Sequence, residues 1–253
     1  MQPLGKNIGG YFGERINIRA VLSQVEGAAR SGGWAEEVFY QVDGLKWLAL
    51  RKTSGAPERR VYISTGIHGD EPAGPLAALQ LLQEDCWPAN TSVTLLPVLN
   101  PRGCLLNRRE SPEGIDLNRD YLASRSAEVR AHLAWLRPQP RFDLCFCLHE
   151  DWESRGFYVY ELNPDQRPSL AETIIAAVQP VCPIDRSAVI EGRAAHGGII
   201  RPETDPLARP LWPEAFWLLQ HKTRLSYTLE APSDFPLAVR VQALMAAVRA
   251  ALA

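Results

Sequence analysis

Residues 59–74, RRVYISTGIHGDEPAG, decide how this chain reads. The segment 59–65 has the apolar, β-branched character of a strand. The segment 72–85, PAGPLAALQLLQED, reads as a helix with a proline near its first turn. Between them stand His68 and Glu71, just past the strand end. A strand that delivers polar side chains into the turn before a helix is the repeating unit of an α/β fold.

The rest of the chain extends that unit in both directions. Upstream, 16–30 reads as an amphipathic helix, and 36–42 and 46–52 as a hairpin around Asp43-Gly44. Downstream, 92–101 is a strand that stops at Asn-Pro, and 102–124, charged and without clean periodicity, reads as a long functional loop. Helix 126–136, strands 142–149 and 156–162, helix 169–181, strand 225–232 and a closing Ala-rich helix complete the alternation. It argues for an α/β sandwich on a largely parallel sheet, with ligands at the carboxyl ends of the strands. No repeat or linker interrupts it, so residues 1–253 are expected to form one domain.

Composition narrows the function classes. The 253 residues carry 27 basic and 29 acidic side chains, a formal charge of -2, which recommends neither nucleic acid nor an anionic membrane as partner. No stretch approaches the 18 or so apolar residues of a membrane span, and the N-terminus has no apolar core of signal-peptide length. The expected location is cytoplasmic. The five cysteines form no CxxC pair and are expected as free thiols, Cys145 and Cys147 sharing one side of a strand.

Three strands end in acid or imidazole: 59–65 leads to His68 and Glu71, 142–149 ends in His149, and 225–232 carries Glu230. Two histidines and one carboxylate leave a fourth zinc position open for water, the arrangement of catalytic zinc. A further carboxylate outside that set can take a proton from the water and pass it to a leaving amine. Of the other histidines, His132 falls in a helical pattern and is expected at the surface, and His196 sits in a polar loop.

These segments resemble the zinc carboxypeptidase superfamily. GIHGDEPAG is similar to its His-x-x-Glu metal motif, NPRG and GIDLNRDY to its Asn-Pro and Asp-x-Asn-Arg segments, CLHED to its third-ligand strand, and TLEAP to the strand bearing its catalytic glutamate. The four occur in the family's order over about residues 59 to 232. The wording is closest to the branch of succinylglutamate desuccinylase and aspartoacylase and to bacterial murein peptide amidases. The resemblance implies a three-layer α/β sandwich around a central mixed, largely parallel sheet. It implies one Zn2+ per chain on His68, Glu71 and His149, with Glu230 as general base. It implies Asn118 and Arg119 as a clamp on the substrate carboxylate, bidentate recognition suited to a guanidinium. An arginine that stabilises the oxyanion is expected at Arg108 or Arg109, and Asp116 is expected to orient a ligand or Arg119. Only 23 residues follow Glu230 and read as one helix, so no extra C-terminal β domain is expected.

Specificity is less legible. The family's substrate-capping tyrosine has no counterpart in the stretch before Glu230. Glu150 and Asp151 read as solvent-facing loop charges, with binding of an amine-bearing substrate as the alternative. Trp212, Phe216 and Trp217 could build an apolar pocket or the core, and Arg201 and Arg209 could reach an anionic group. The expected function is therefore amide-bond hydrolysis, by a metallo-carboxypeptidase or amidase acting on a small peptide with a free carboxylate. The alternatives are an N-acyl-amino-acid deacylase and a catalytically silent zinc-binding protein.

Overall fold

A computed structural model describes residues 1–253 apart from 203, 204, 206 and 207. The turn at Asp43-Gly44 closes an antiparallel hairpin of β1 (Ala35–Val42) and β2 (Leu45–Thr53), with Val42 opposite Leu45. β2 runs antiparallel to β4 (Thr91–Leu96), which lies parallel to β3 (Arg59–Thr65). β3 continues parallel into β5 (Leu144–Asp151), and β5 into β10 (Ser226–Pro232). β6 (Tyr158–Leu162) pairs antiparallel with β10 and carries the short β9 (Ile199–Ile200) at the edge. The eight-stranded order among the described residues is β1-β2-β4-β3-β5-β10-β6-β9, and β7 (Val189–Ile190) and β8 (Arg193–Ala194) form a separate small hairpin.

The sheet is mixed, with four adjacent parallel strands at its centre and helices on both faces. One face is covered by α1 (Ile18–Ser31), α2 (Ala73–Glu84), α5 (Ala171–Val178) and α7 (Leu237–Leu252), packed on Val61, Ile63, Phe146, Leu148 and Leu229. The other is covered by α4 (Ala127–Leu136) and α6 (Glu214–His221), packed on Tyr62, Leu96, Cys145 and Cys147. Alternation along β5 explains the split, since successive side chains point to opposite faces. Cys145 and Cys147 do share a face. This is the expected three-layer sandwich. Among the described residues, no helix is long and apolar enough to cross a membrane.

Two expectations need correction here, and one helix was not foreseen. The stretch 102–124 is not wholly a loop: α3 spans Pro101–Leu106, because Asn100 accepts a hydrogen bond from Gly103 N and Pro101 occupies the first turn. The Asn-Pro pair that stops a strand also starts a helix. The same stretch that holds Phe216 and Trp217 folds as α6, in which Glu214 to Leu219 are all buried, so no polar face reveals the helix in the sequence. His132 is buried, not at the surface. It shares the apolar face of α4 with Val129, Leu133 and Leu136, and two tyrosine hydroxyls satisfy its ring.

The strand order reverses beside β3: β4 lies to one side of it and β5 to the other. Such a switch point opens a crevice at the carboxyl ends of the strands. The β3–α2 turn and the end of β5 both reach into that crevice.

Candidate active site

His68 and Glu71 sit one turn apart in the β3–α2 connection, and Glu71 N donates to His68 O at 3.4 Å. This turn packs tightly on α3. A Cβ at Gly69 would lie 2.1 Å from the carbonyl carbon of Gly103, so only glycine fits there. Glu71 reaches both histidines: its Oε1 lies 2.5 Å from His68 Nδ1 and its Oε2 3.0 Å from His149 Nδ1. Oε2 also accepts Glu150 N at 3.1 Å, which fixes the carboxylate to the end of β5. All three side chains are buried, and their donor atoms lie within 4.8 Å of one another.

The three donors fit a divalent ion. Two imidazole nitrogens and a carboxylate face a common point, as in open zinc sites. The far nitrogen of His68 completes the picture. Nε2 stands 3.3 Å from Asp116 Oδ1, in charge contact but not aligned as a hydrogen bond, and it has no other partner. A carboxylate behind a liganding imidazole fixes its tautomer and orientation.

Asp116 also positions an arginine. Its Oδ2 accepts Arg109 Nε at 2.9 Å, while its Oδ1 accepts Asn118 N at 2.9 Å and caps a single 3-10 turn, Leu117–Arg119. Arg109 Nη1 consequently lies 3.3 Å from His68 Nδ1, at the cavity wall. Arg108 turns away and donates to Ser111 O at 2.7 Å, outside the cavity lining. Asp116 thus serves His68 and Arg109 more directly than Arg119.

Glu230 stands on β10 in register with His149 on β5 and lines the same cavity of about 820 Å³. Burial raises its pKa well above the carboxylate range, and the Glu71, Asp151 and Glu191 carboxylates add to that push. Asn118 and Arg119 line the cavity as well. Asn118 Oδ1 accepts Glu214 N at 2.9 Å, so the amide NH2 end is left to donate into the cavity. Arg201 is bound to Glu161 and Glu172 and does not line the cavity, whereas Arg209 does. Phe216 lines it too, while Trp217 packs in the core.

Glu150 and Asp151 are not solvent-facing charges. Glu150 points to the α2 side, where Arg240 neutralises it and Ala73 N donates to it at 2.6 Å, at the start of α2. Asp151 accepts Tyr158 OH at 3.0 Å. A second polar cluster under the site was not visible in the sequence. Tyr121 OH lies 2.7 Å from His132 Nδ1, and His132 Nε2 lies 3.1 Å from Tyr62 OH. Tyr62 and Ser64 then donate to Glu214, at 2.5 and 2.7 Å. Burial lowers the His132 pKa to about 3, so the ring is neutral. Tyr62 gives its proton to Glu214, so Nε2 must carry the imidazole hydrogen. The chain of bonds ends at Asn118 and holds it from behind.

That network predicts a pH dependence. Burial raises Glu214 from 4.5 to about 7 despite the Tyr62 and Ser64 hydrogen bonds. Between those values the folded protein holds a proton that the unfolded chain has released, so stability falls as pH rises through this window. Glu214→Gln cannot ionise and should flatten the stability curve there. Urea unfolding at a series of pH values checks this, and an unchanged slope contradicts it.

The succinylglutamate desuccinylase/aspartoacylase catalytic-domain model matches residues 57–184, about half of the chain. The chain belongs to that family. The matched span holds His68, Glu71, Arg109, Asn118, Arg119 and His149, while Glu230 lies beyond it. The family is one of hydrolases. Solved structures agree on the fold. A candidate metallopeptidase from Shewanella amazonensis superposes with a TM-score of 0.80 at 23% identity, covering 92% of this chain and 91% of that one. A metallo-carboxypeptidase from Pseudomonas aeruginosa, in complex with (2-guanidinoethylmercapto)succinic acid, gives 0.72 at 19% identity, with 94% and 68% covered. Among curated proteins, Carboxypeptidase 2 of Trichophyton rubrum is 28% identical over 151 residues, 51% of this chain and 27% of its own length. Carboxypeptidase SOL1 of Arabidopsis thaliana is 31% identical over 104 residues, 33% of this chain and 21% of its own length. The chain thus spans about a quarter of the curated relatives that it matches.

Proposed function

We propose that this family member is a zinc-dependent amide hydrolase that acts on a small substrate with a free carboxylate. The observation that carries the reading is the convergence of His68, Glu71 and His149, with Glu230 facing the same cavity from the neighbouring parallel strand. A zinc ion held by those three residues supplies Lewis acidity, easing deprotonation of water and polarising the scissile carbonyl.

The chain's own groups do the rest. Asn118 NH2 and the Arg119 guanidinium bind the substrate carboxylate and fix the scissile amide across the site. With the charge of a bound cation opposing the upward push on its pKa, Glu230 would take a proton from the attacking water and return it to the leaving nitrogen. Arg109, steered by Asp116, points its guanidinium at the developing oxyanion. Asp116, against the far nitrogen of His68, keeps that imidazole in place throughout.

Arg109 and Arg108 separate cleanly in a test. Arg109→Lys keeps a charge but loses the fork held by Asp116, and kcat should fall by about 10²–10³. Arg108→Lys should leave kcat within about twofold, since its partner Ser111 O lies outside the cavity. Equal losses in both variants contradict the assignment.

The reading itself is tested with metal-loaded protein and a panel of short peptides, γ-linked peptides and N-acyl amino acids, scored by mass spectrometry. Cleavage that chelation abolishes and zinc restores is the expected result. Chelator-insensitive cleavage, or no cleavage of any class, counts against it.

A further inference from the structure

The cavity continues past the three metal-site residues to where the N-terminal segment crosses the end of the sheet. Tyr11 and Asp70 line it, close enough for the Asp70 carboxylate to act on the phenol. The Tyr11 hydroxyl and Asp70 Oδ1 are both shielded from solvent, and neither has a hydrogen-bond partner among the described residues. Buried polar atoms without partners are costly, and in a ligand cavity they mark where a ligand's polar atoms belong.

The segment that carries Tyr11 is tied down on both sides. Gly5 N and Lys6 N donate to the Asp234 carboxylate at 3.0 and 2.8 Å, and Glu14 pairs with Arg240. The Tyr11 ring folds back over Gly13 so closely that a Cβ there would lie 1.5 Å from the phenol oxygen. The phenol is therefore held in one place by the backbone around it.

No described cation beside Asp70 is left to neutralise it. Arg240 is engaged by Glu14 and Glu150, and Arg109 by Asp116. Elsewhere in the lining, Arg119 and Arg193 stand close enough to Arg209 to act on its charge.

We propose that Asp70 and Tyr11 form a subsite for a protonated amine, so that the preferred substrate is a short peptide with a free amino group. The inference rests on the amide-hydrolase reading and selects among its substrates. An ammonium has three donors and no acceptor. One N–H meets Asp70 Oδ1 and a second meets the phenol oxygen of Tyr11. An N-acylated substrate brings a neutral amide instead and leaves the Asp70 charge unpaired.

The test compares dipeptides and tripeptides with their N-acetylated twins, using zinc-loaded wild type, Asp70→Asn and Tyr11→Phe. Both variants are near-isosteric, and zinc content is measured in each. Wild type should favour the free amine by about ten- to a hundredfold in kcat/KM, the range of a charged hydrogen bond. The ratio should collapse toward one in Asp70→Asn and shrink in Tyr11→Phe. Equal turnover of both twins by wild type, or an unchanged ratio in both variants, overturns the subsite alone. No cleavage of any pair overturns the hydrolase reading and the subsite with it.

Discussion

Glu230→Gln lowers kcat by about 10²–10⁴ while zinc binding stays intact. The size of the effect is that of a lost general base. The substitution keeps the volume and shape of the side chain, so β10 and its register with His149 are preserved. The amide cannot take the proton from water or return it to the leaving nitrogen. Glu230 is also not one of the three residues whose donor atoms converge. Steady-state kinetics with parallel metal analysis reads both halves of the prediction. A variant with parental kcat removes Glu230 from the mechanism.

The three metal-site residues were visible in the sequence, and the reason is chemical. Metal donors must be histidine, cysteine or carboxylate, and a strand-end position limits them further. His68, Glu71 and His149 satisfy both conditions. Arg109 could not be told from Arg108 by spacing, because the choice depends on Asp116 seven residues further on, reached only once the loop has closed. Glu214 was missed and His132 misread for a related reason. One was hidden in an aromatic stretch, and the other was polar in a helix whose face is otherwise apolar. Their satisfaction comes from Tyr62, Ser64 and Tyr121 on other elements. Tyr11 stands 57 residues before His68 in a segment without periodicity, and no local pattern ties it to the site.

The largest stability effect is expected at Arg240. This side chain is fully buried and pairs with Glu150, which is buried too, and with Glu14. Glu150 is also held by Ala73 N at the first turn of α2 and by Ser233 at 3.3 Å. Removing the guanidinium leaves an uncompensated carboxylate in the interior, next in sequence to His149. Breaking a buried pair from one side costs about 3–5 kcal/mol. For a domain of this size, each kcal/mol is worth about 2–4 °C in Tm. Arg240→Ala should therefore melt roughly 6–20 °C lower, while Glu14→Ala, at the more exposed end of the cluster, should lose much less. Thermal unfolding of the two variants decides it, and similar small losses in both mean that the pair is not what holds α7 over β5.

The central claim is that His68, Glu71 and His149 hold one metal ion and that Glu230 does not. Calorimetric titration of zinc into metal-free wild type, His149→Ala and Glu230→Gln tests it most directly. One site per chain in wild type and in Glu230→Gln, with the site lost or severely weakened in His149→Ala, is the predicted result. Undiminished binding in His149→Ala, or loss of the site in Glu230→Gln, contradicts the account.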